Sequence, residues 1–204
     1  MVSDIAFTKY DLFSVPVAYY KNFLPLDLAY NIKDYILRVK VTECRKHHAF
    51  TGEAYSLHEV NNEDNLTNII QEITETVAGC SKLLNNIKDC VNYFTSNINY
   101  PNCVLGNSWF NIQKPGSLLH RHSHTSAKGG ELLSGVLYIN VDDKSSSITF
   151  ENPNPYSNTD PGNIFQYSFK PNIGDLILFP AWLIHLSKEL NMSDERIVIS
   201  FNVV

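Results

Sequence analysis

The sequence predicts an α+β chain in which helices pack on a β-sandwich or barrel. Two patterns predict it. Apolar residues recur at helical spacing through the first half, and from Val104 onward they gather into short runs separated by Gly, Pro, Asn, Asp and Ser. Composition agrees: 204 residues, 44% hydrophobic and 18% charged, can bury a full core without disulfides or a structural metal.

The first helix starts at Leu24-Pro25-Leu26-Asp27, with Ile32, Ile36 and Val39 on one side. A second follows Asn61-Asn62-Glu63-Asp64, and Leu66, Ile69, Ile70, Ile73 and Val77 form its apolar face. A third runs over 81–94, with Leu84, Ile87 and Val91 aligned. Such stripes are most simply surfaces that cover a sheet. Strands are expected at 108–113, 134–141, 147–151, 164–169, 175–180 and 196–203. Turn signals separate them at Lys114-Pro115-Gly116, Asp142 to Ser145, Asn152-Pro153-Asn154-Pro155 and Asn172-Ile173-Gly174-Asp175. With no repeat and no low-complexity linker, 1–204 is read as a single domain, a helical support region over 1–103 and a barrel core over 104–204.

Sixteen Lys and Arg against twenty-one Asp and Glu give a net charge of -5, so no basic surplus exists to hold a phosphate backbone or an anionic membrane. No run approaches the roughly 18 apolar residues that span a bilayer. The first twenty residues carry Asp4, Lys9 and Asp11 and lack the form of a signal peptide. Cys44, Cys80, Cys90 and Cys103 form no CxxC pair, which suits free thiols in a reducing cytoplasm. A cytoplasmic monomer or homodimer with no nucleic-acid or membrane partner is the expectation.

Chemistry concentrates in the second half. His120, His122 and His124 lie within five residues, and His185 ends a long apolar run. On a strand, residues two apart share a face, so His122 with either His124 or His120 would present two imidazoles together. Such a pair plus a distant third ligand builds an open site for a divalent metal. The competing readings are a solvated His-rich loop and a core histidine at 185. Eleven residues on, Arg196 opens a strand on which Arg196, Val198, Ser200 and Asn202 share a face. A guanidinium on an inward face needs a partner, and a bound carboxylate would supply one. The alternative is that Arg196 reaches solvent from the strand's start. Tyr138 offers either a phenol donor or ordinary strand packing.

Several blocks recur together in order: Trp109 with Asn111, Gly116, His122 with His124, Ser134-Gly135-Val136 with Tyr138, Gly174-Asp175-Leu176 through Phe179-Pro180, Trp182-Leu183 and His185, and Glu195-Arg196 with Ser200-Phe201-Asn202. In this order and spacing they resemble the iron(II)- and 2-oxoglutarate-dependent oxygenases, in the prolyl-hydroxylase-like branch. The resemblance is specific over about 104–204 and loose before it. It implies a double-stranded β-helix, the jelly-roll or cupin-like barrel, with the N-terminal helices packed on one sheet. It implies Fe(II) held by His122, His124 and His185. It places 2-oxoglutarate at Arg196, with Ser200, Tyr138, Asn111 and Asn202 around it, and O2 as the oxidant. The implied reaction hydroxylates a C–H bond of a small molecule or protein side chain and releases succinate and CO2.

One departure matters. The superfamily has a carboxylate two residues after the first histidine, and this chain has His124 there. Either three histidines hold the metal, or Glu131, Glu151 or water completes the shell. Two other readings stay open: a three-histidine cupin-type dioxygenase that does not use 2-oxoglutarate, and a non-catalytic jelly-roll binding protein. No GxSxG elbow and no phosphate-binding loop is present.

Overall fold

The computed structural model describes residues 6–12, 15–41, 44–46, 49–57, 68–101, 103–125, 130–154 and 164–204. Its strands and helices follow in order: β1 (Ala6–Leu12), β2 (Val15–Lys21), α1 (Leu26–Tyr35) continued by a π-helical turn (Ile36–Lys40), β3 (Arg45–Lys46), β4 (Phe50–Thr51), β5 (Ala54–Ser56), α2 (Ile69–Thr76) and α3 (Leu83–Asn97). The second half is β6 (Leu105–Gln113), β7 (Leu118–Leu119), β8 (Leu133–Asn140), β9 (Ile148–Glu151), β10 (Gln166–Phe169), β11 (Leu176–Pro180), β12 (His185–Leu186) and β13 (Arg196–Val203).

Eight strands form one sheet in the order β1-β2-β11-β8-β13-β6-β5-β3. A smaller layer faces it, built from β10-β9-β12 and from β4-β7. Backbone bonds between Ser187 and Leu119 (3.1 Å) and between His122 and His185 (3.0 Å each way) join these two pieces. This is the expected double-stranded β-helix. Val17, Tyr19, Val136, Tyr138, Ile177, Phe179 and Val198 from the large sheet meet Ile148, Phe150, Phe169 and Leu183 between the layers. The other face of the large sheet, through Ala18, Tyr20, Phe110, Leu137, Leu178, Ile199 and Phe201, packs on Ile32, Ile70, Ile73, Ile87 and Phe94 of the helices. A strand covered on both faces needs apolar side chains on both, so β11 is a continuous apolar run, whereas β13 puts Ile197, Ile199 and Phe201 against the helices and Arg196, Ser200 and Asn202 on the other face.

The first half is less helical than its periodicity predicts. β1 and β2 form a hairpin, and β2 adds to β11 with Tyr20 opposite Leu176. Its alternation is invisible in sequence because Val17 and Tyr19 fill one core while Ala18 and Tyr20 fill the other. Pro16 is tolerated because β11 pairs only with residues 18–20. Asp175 fastens the hairpin: its buried carboxylate accepts from Tyr19 Oη (2.6 Å), the Asn22 amide (2.9 Å) and the Asn172 amide (2.8 Å). The expected start of the second helix, Asn61 to Asp64 with Leu66, lies outside the described residues. The helix itself is capped by Asn68, whose Oδ1 accepts from the Gln71 amide (3.2 Å) and from Ser108 Oγ (3.0 Å), tying α2 to β6. Among the described residues, no helix is long and apolar enough to cross a membrane.

Gly135 sits opposite Phe201 in the centre of the large sheet. A Cβ there would lie 2.1 Å from Cζ of the fully buried Phe201 ring. Gly135→Ala is therefore expected to cost about 3 kcal/mol by overpacking and to lower the melting temperature by roughly 10 °C. A thermal denaturation midpoint within a degree of wild type would refute this account of the glycine.

Candidate active site

The three histidines meet because the segment after β7 runs antiparallel to the chain entering β12. The His124 amide donates to the Ala181 carbonyl (2.9 Å), and His122 and His185 exchange both backbone bonds. Their ring centroids lie 4.2 Å apart, with His124 at 5.3 Å from His122 and 5.1 Å from His185. One ring nitrogen from each falls within 4.8 Å of the others. His120 is not among them. The chain bends at Arg121, which breaks the alternation, and the His120 Nε2 contacts Thr51 Oγ1 at 2.5 Å instead.

Each imidazole has an oxygen at Nδ1: the His120 carbonyl for His122 (2.8 Å), Asn202 Oδ1 for His124 (2.8 Å) and the Leu183 carbonyl for His185 (3.1 Å). An oxygen acceptor fixes the proton on Nδ1 and leaves the Nε2 lone pair for another partner. Burial holds His185 well below the usual histidine value, and the neighbouring imidazoles push it further the same way. Burial also lowers His122. Three imidazoles whose ring nitrogens converge in this way fit a divalent transition metal. Among the described residues no carboxylate joins the cluster. Glu131 lines the same cavity outside it, and Glu151 turns to the opposite side of its strand, where its Oε2 meets Arg121 Nε at 2.7 Å.

The rest of the site is written across the sheet in register. Arg196 faces Gln113; Val198 lies between Asn111 and Tyr138; Ser200 lies between Trp109 and Val136; Asn202 faces Ser134. With the histidines, these residues line a cavity of about 470 Å³, walled also by Ile148, Phe50 and Leu119. Arg196 does not reach solvent, being only 5% exposed. It donates from Nη1 to Gln113 Oε1 (2.5 Å) and from Nε to the Ser146 carbonyl (3.3 Å). Among the described residues no carboxylate comes within ion-pair distance of it. Burial lowers its proton affinity, although Tyr138 and the more distant Glu189 oppose that.

Two buried polar atoms in this cavity, Tyr138 Oη and Asn111 Oδ1, have no hydrogen-bond partner among the described residues. The Arg196 guanidinium does stand over the Tyr138 ring, 5.5 Å from its centroid. Burial raises the Tyr138 phenol, so it stays protonated and can donate. An orphaned phenol donor beside an unneutralised guanidinium fits a polar anion, whereas Asn111 Oδ1, an acceptor, calls for a donor. Asn111 Nδ2 reaches Ser200 Oγ at 3.5 Å. Asn202 stands at the histidine end: its Oδ1 takes His124 and Ser134 Oγ, while its Nδ2 donates to Asn107 Oδ1 (3.1 Å). Asn202→Leu should therefore weaken metal binding by roughly 10- to 100-fold. Titration with Ni(II) checks this, and an unchanged affinity would mean that Asn202 does not orient His124.

Sequence reasoning overlooked Gln113 and the Ser146 carbonyl. Gln113 was within reach, because the alternation that pairs Trp109 with Asn111 extends to it. The Ser146 carbonyl has no sequence signal, since any residue supplies one.

Residues 107–202 match the family model described as "Putative 2OG-Fe(II) oxygenase". That stretch, just under half of the chain, is similar to the 2OG-Fe(II) oxygenase family and holds the three histidines and Arg196. No curated protein matches the chain in sequence. Among solved structures, the fold is similar to a prolyl-4-hydroxylase of Pseudomonas putida (TM-score 0.65, 15% identity, 94% of each chain covered). It is similar to HygX of Streptomyces hygroscopicus, solved with nickel and 2-oxoglutarate (0.59, 8%, 93% of this chain and 82% of that one). It is also similar to SnoN, an α-ketoglutarate dependent epimerase of nogalamycin biosynthesis (0.64, 12%, 92% and 77%). At such identities the likeness is one of fold. The resemblance to the prolyl-hydroxylase-like branch is borne out.

Proposed function

We propose that the protein binds Fe(II) at His122, His124 and His185 and 2-oxoglutarate at Arg196, and that it hydroxylates an unactivated C–H bond. In the overall reaction one oxygen of O2 enters the substrate as hydroxyl and the other enters succinate as 2-oxoglutarate loses CO2. Bound Fe(II) would supply the O2-activating chemistry. Arg196 holds the distal carboxylate of 2-oxoglutarate, with the Tyr138 phenol and the Ser200 hydroxyl as further donors. Val136, Ile148 and Val198 keep water from that end of the cavity. The observation that carries this reading is the buried guanidinium without a carboxylate, in one cavity with three converging imidazoles. A cupin-type enzyme without 2-oxoglutarate has no use for that charge.

The test is anaerobic loading with Fe(II) and 2-oxoglutarate, followed by O2. Succinate should form, slowly without substrate. If no succinate appears and the Ni(II)-loaded protein takes up no 2-oxoglutarate by calorimetry, the reading fails. Oxygen consumption independent of 2-oxoglutarate would favour the cupin-type alternative. The chemistry of HygX and SnoN is not carried over: the substrate class is open to screening by which compounds accelerate succinate release.

A further inference from the structure

We infer that Gln113 is a positioning residue that sets the affinity and selectivity for the cosubstrate. It is a neutral acceptor that aims the Arg196 guanidinium without discharging it. The inference rests on the proposed binding of 2-oxoglutarate at Arg196.

Gln113 is fully buried and directly opposite Arg196 across β6 and β13. Its amide has one orientation. Arg196 can only donate, so Oε1 must face Nη1. Nε2 then points to Ser117 Oγ at 3.5 Å, and the Ser117 proton is already committed to the Lys114 carbonyl (2.7 Å). Ser117 is itself pinned by the amide of Asn191, which donates to its carbonyl at 2.8 Å. This chain of bonds runs from a turn to the guanidinium without passing through any charged side chain.

Charge makes the choice of residue matter. A glutamate of the same shape would form a buried ion pair with Arg196, and the cavity would lose the positive charge that a second carboxylate needs. An apolar residue would leave the charge but release its aim. Glu189 does not play the part of a counter-ion at contact: its Oε1 is taken by the Ser147 amide (2.7 Å) and hydroxyl (2.5 Å), and it is solvent-exposed.

The experiment compares wild type, Gln113→Glu and Gln113→Met, each loaded with Ni(II), for binding of 2-oxoglutarate and of 2-oxobutyrate, which lacks the distal carboxylate. Gln113→Glu should weaken 2-oxoglutarate by on the order of 100-fold and 2-oxobutyrate little, which erases the preference between them. Ni(II) affinity should hold. Gln113→Met should weaken 2-oxoglutarate by roughly 10-fold with the metal site intact. A merely structural residue would lower both ligands and the metal together. If Gln113→Glu keeps wild-type affinity and preference, the inference is overturned. If Gln113→Glu does not fold, the methionine variant decides, and unchanged 2-oxoglutarate binding there overturns it. If wild type binds Ni(II) but no 2-oxoglutarate, the functional proposal fails instead.

Discussion

Arg196→Met will weaken 2-oxoglutarate binding by on the order of 100-fold or more and, at the same time, leave the ligand-free protein as stable as wild type or more so. Both effects follow from one fact. Arg196 is a buried cation whose contacts among the described residues are neutral: the oxygens of Gln113 and Ser146 and the Tyr138 ring. Removing a charge that lacks its partner relieves a desolvation cost, whereas removing it from the complex strands a carboxylate. Calorimetry on the Ni(II)-loaded variant reads the first effect and thermal unfolding of the apoprotein reads the second. A variant that binds 2-oxoglutarate within threefold of wild type would show that the anion sits elsewhere. A variant that loses binding through a large fall in melting temperature would show that Arg196 is a structural residue.

His185→Ala will cut metal affinity by on the order of 100-fold or more, since it removes one of the three proposed ligands and not merely a supporting contact. A second consequence is visible only without metal. The folded site keeps His185 neutral well below 6.5, while the unfolded chain takes up its proton near that value. Above 6.5 neither state binds the proton, so this group contributes no pH dependence. As the pH falls below 6.5 the unfolded state gains a proton that the folded site refuses, and stability is lost down to the folded value. The chelator-treated wild type should therefore lose stability as the pH falls from about 6.5 toward 5.5. His185→Ala should lose less over the same range. Equal losses would mean that another group carries the acid sensitivity.

Much of this site is written in strand alternation, and that part was readable. Arg196, Val198, Ser200 and Asn202 do share the cavity face, and the run from Leu176 to His185 does turn a histidine into it. What alternation cannot report is a bend. His120 and His124 are equivalent by spacing to His122, and only the break at Arg121 separates them. Nor can it report partners drawn from far away: Asn202 reaches His124 across 78 positions and Gln113 reaches Arg196 across 83. The hairpin of β1 and β2 was hidden for the opposite reason. Where both faces are covered, burial favours apolar residues everywhere, and the two-residue period that betrays a strand disappears.

The position of β13 carries a consequence for how the molecule is made. It lies between β8 and β6, yet it follows both in the chain. During synthesis those two strands therefore exist as open edges, with apolar faces and unpaired amides, until Arg196 to Val203 has left the ribosome and inserted between them. Closure is long-range and correspondingly slow. A nascent or truncated chain lacking this segment has the features of a species that pairs with other copies and precipitates. Arg196 and the Asn202 support for His124 arrive with the same strand, so the proposed anion site is assembled, and the proposed metal site braced, in the step that closes the sheet.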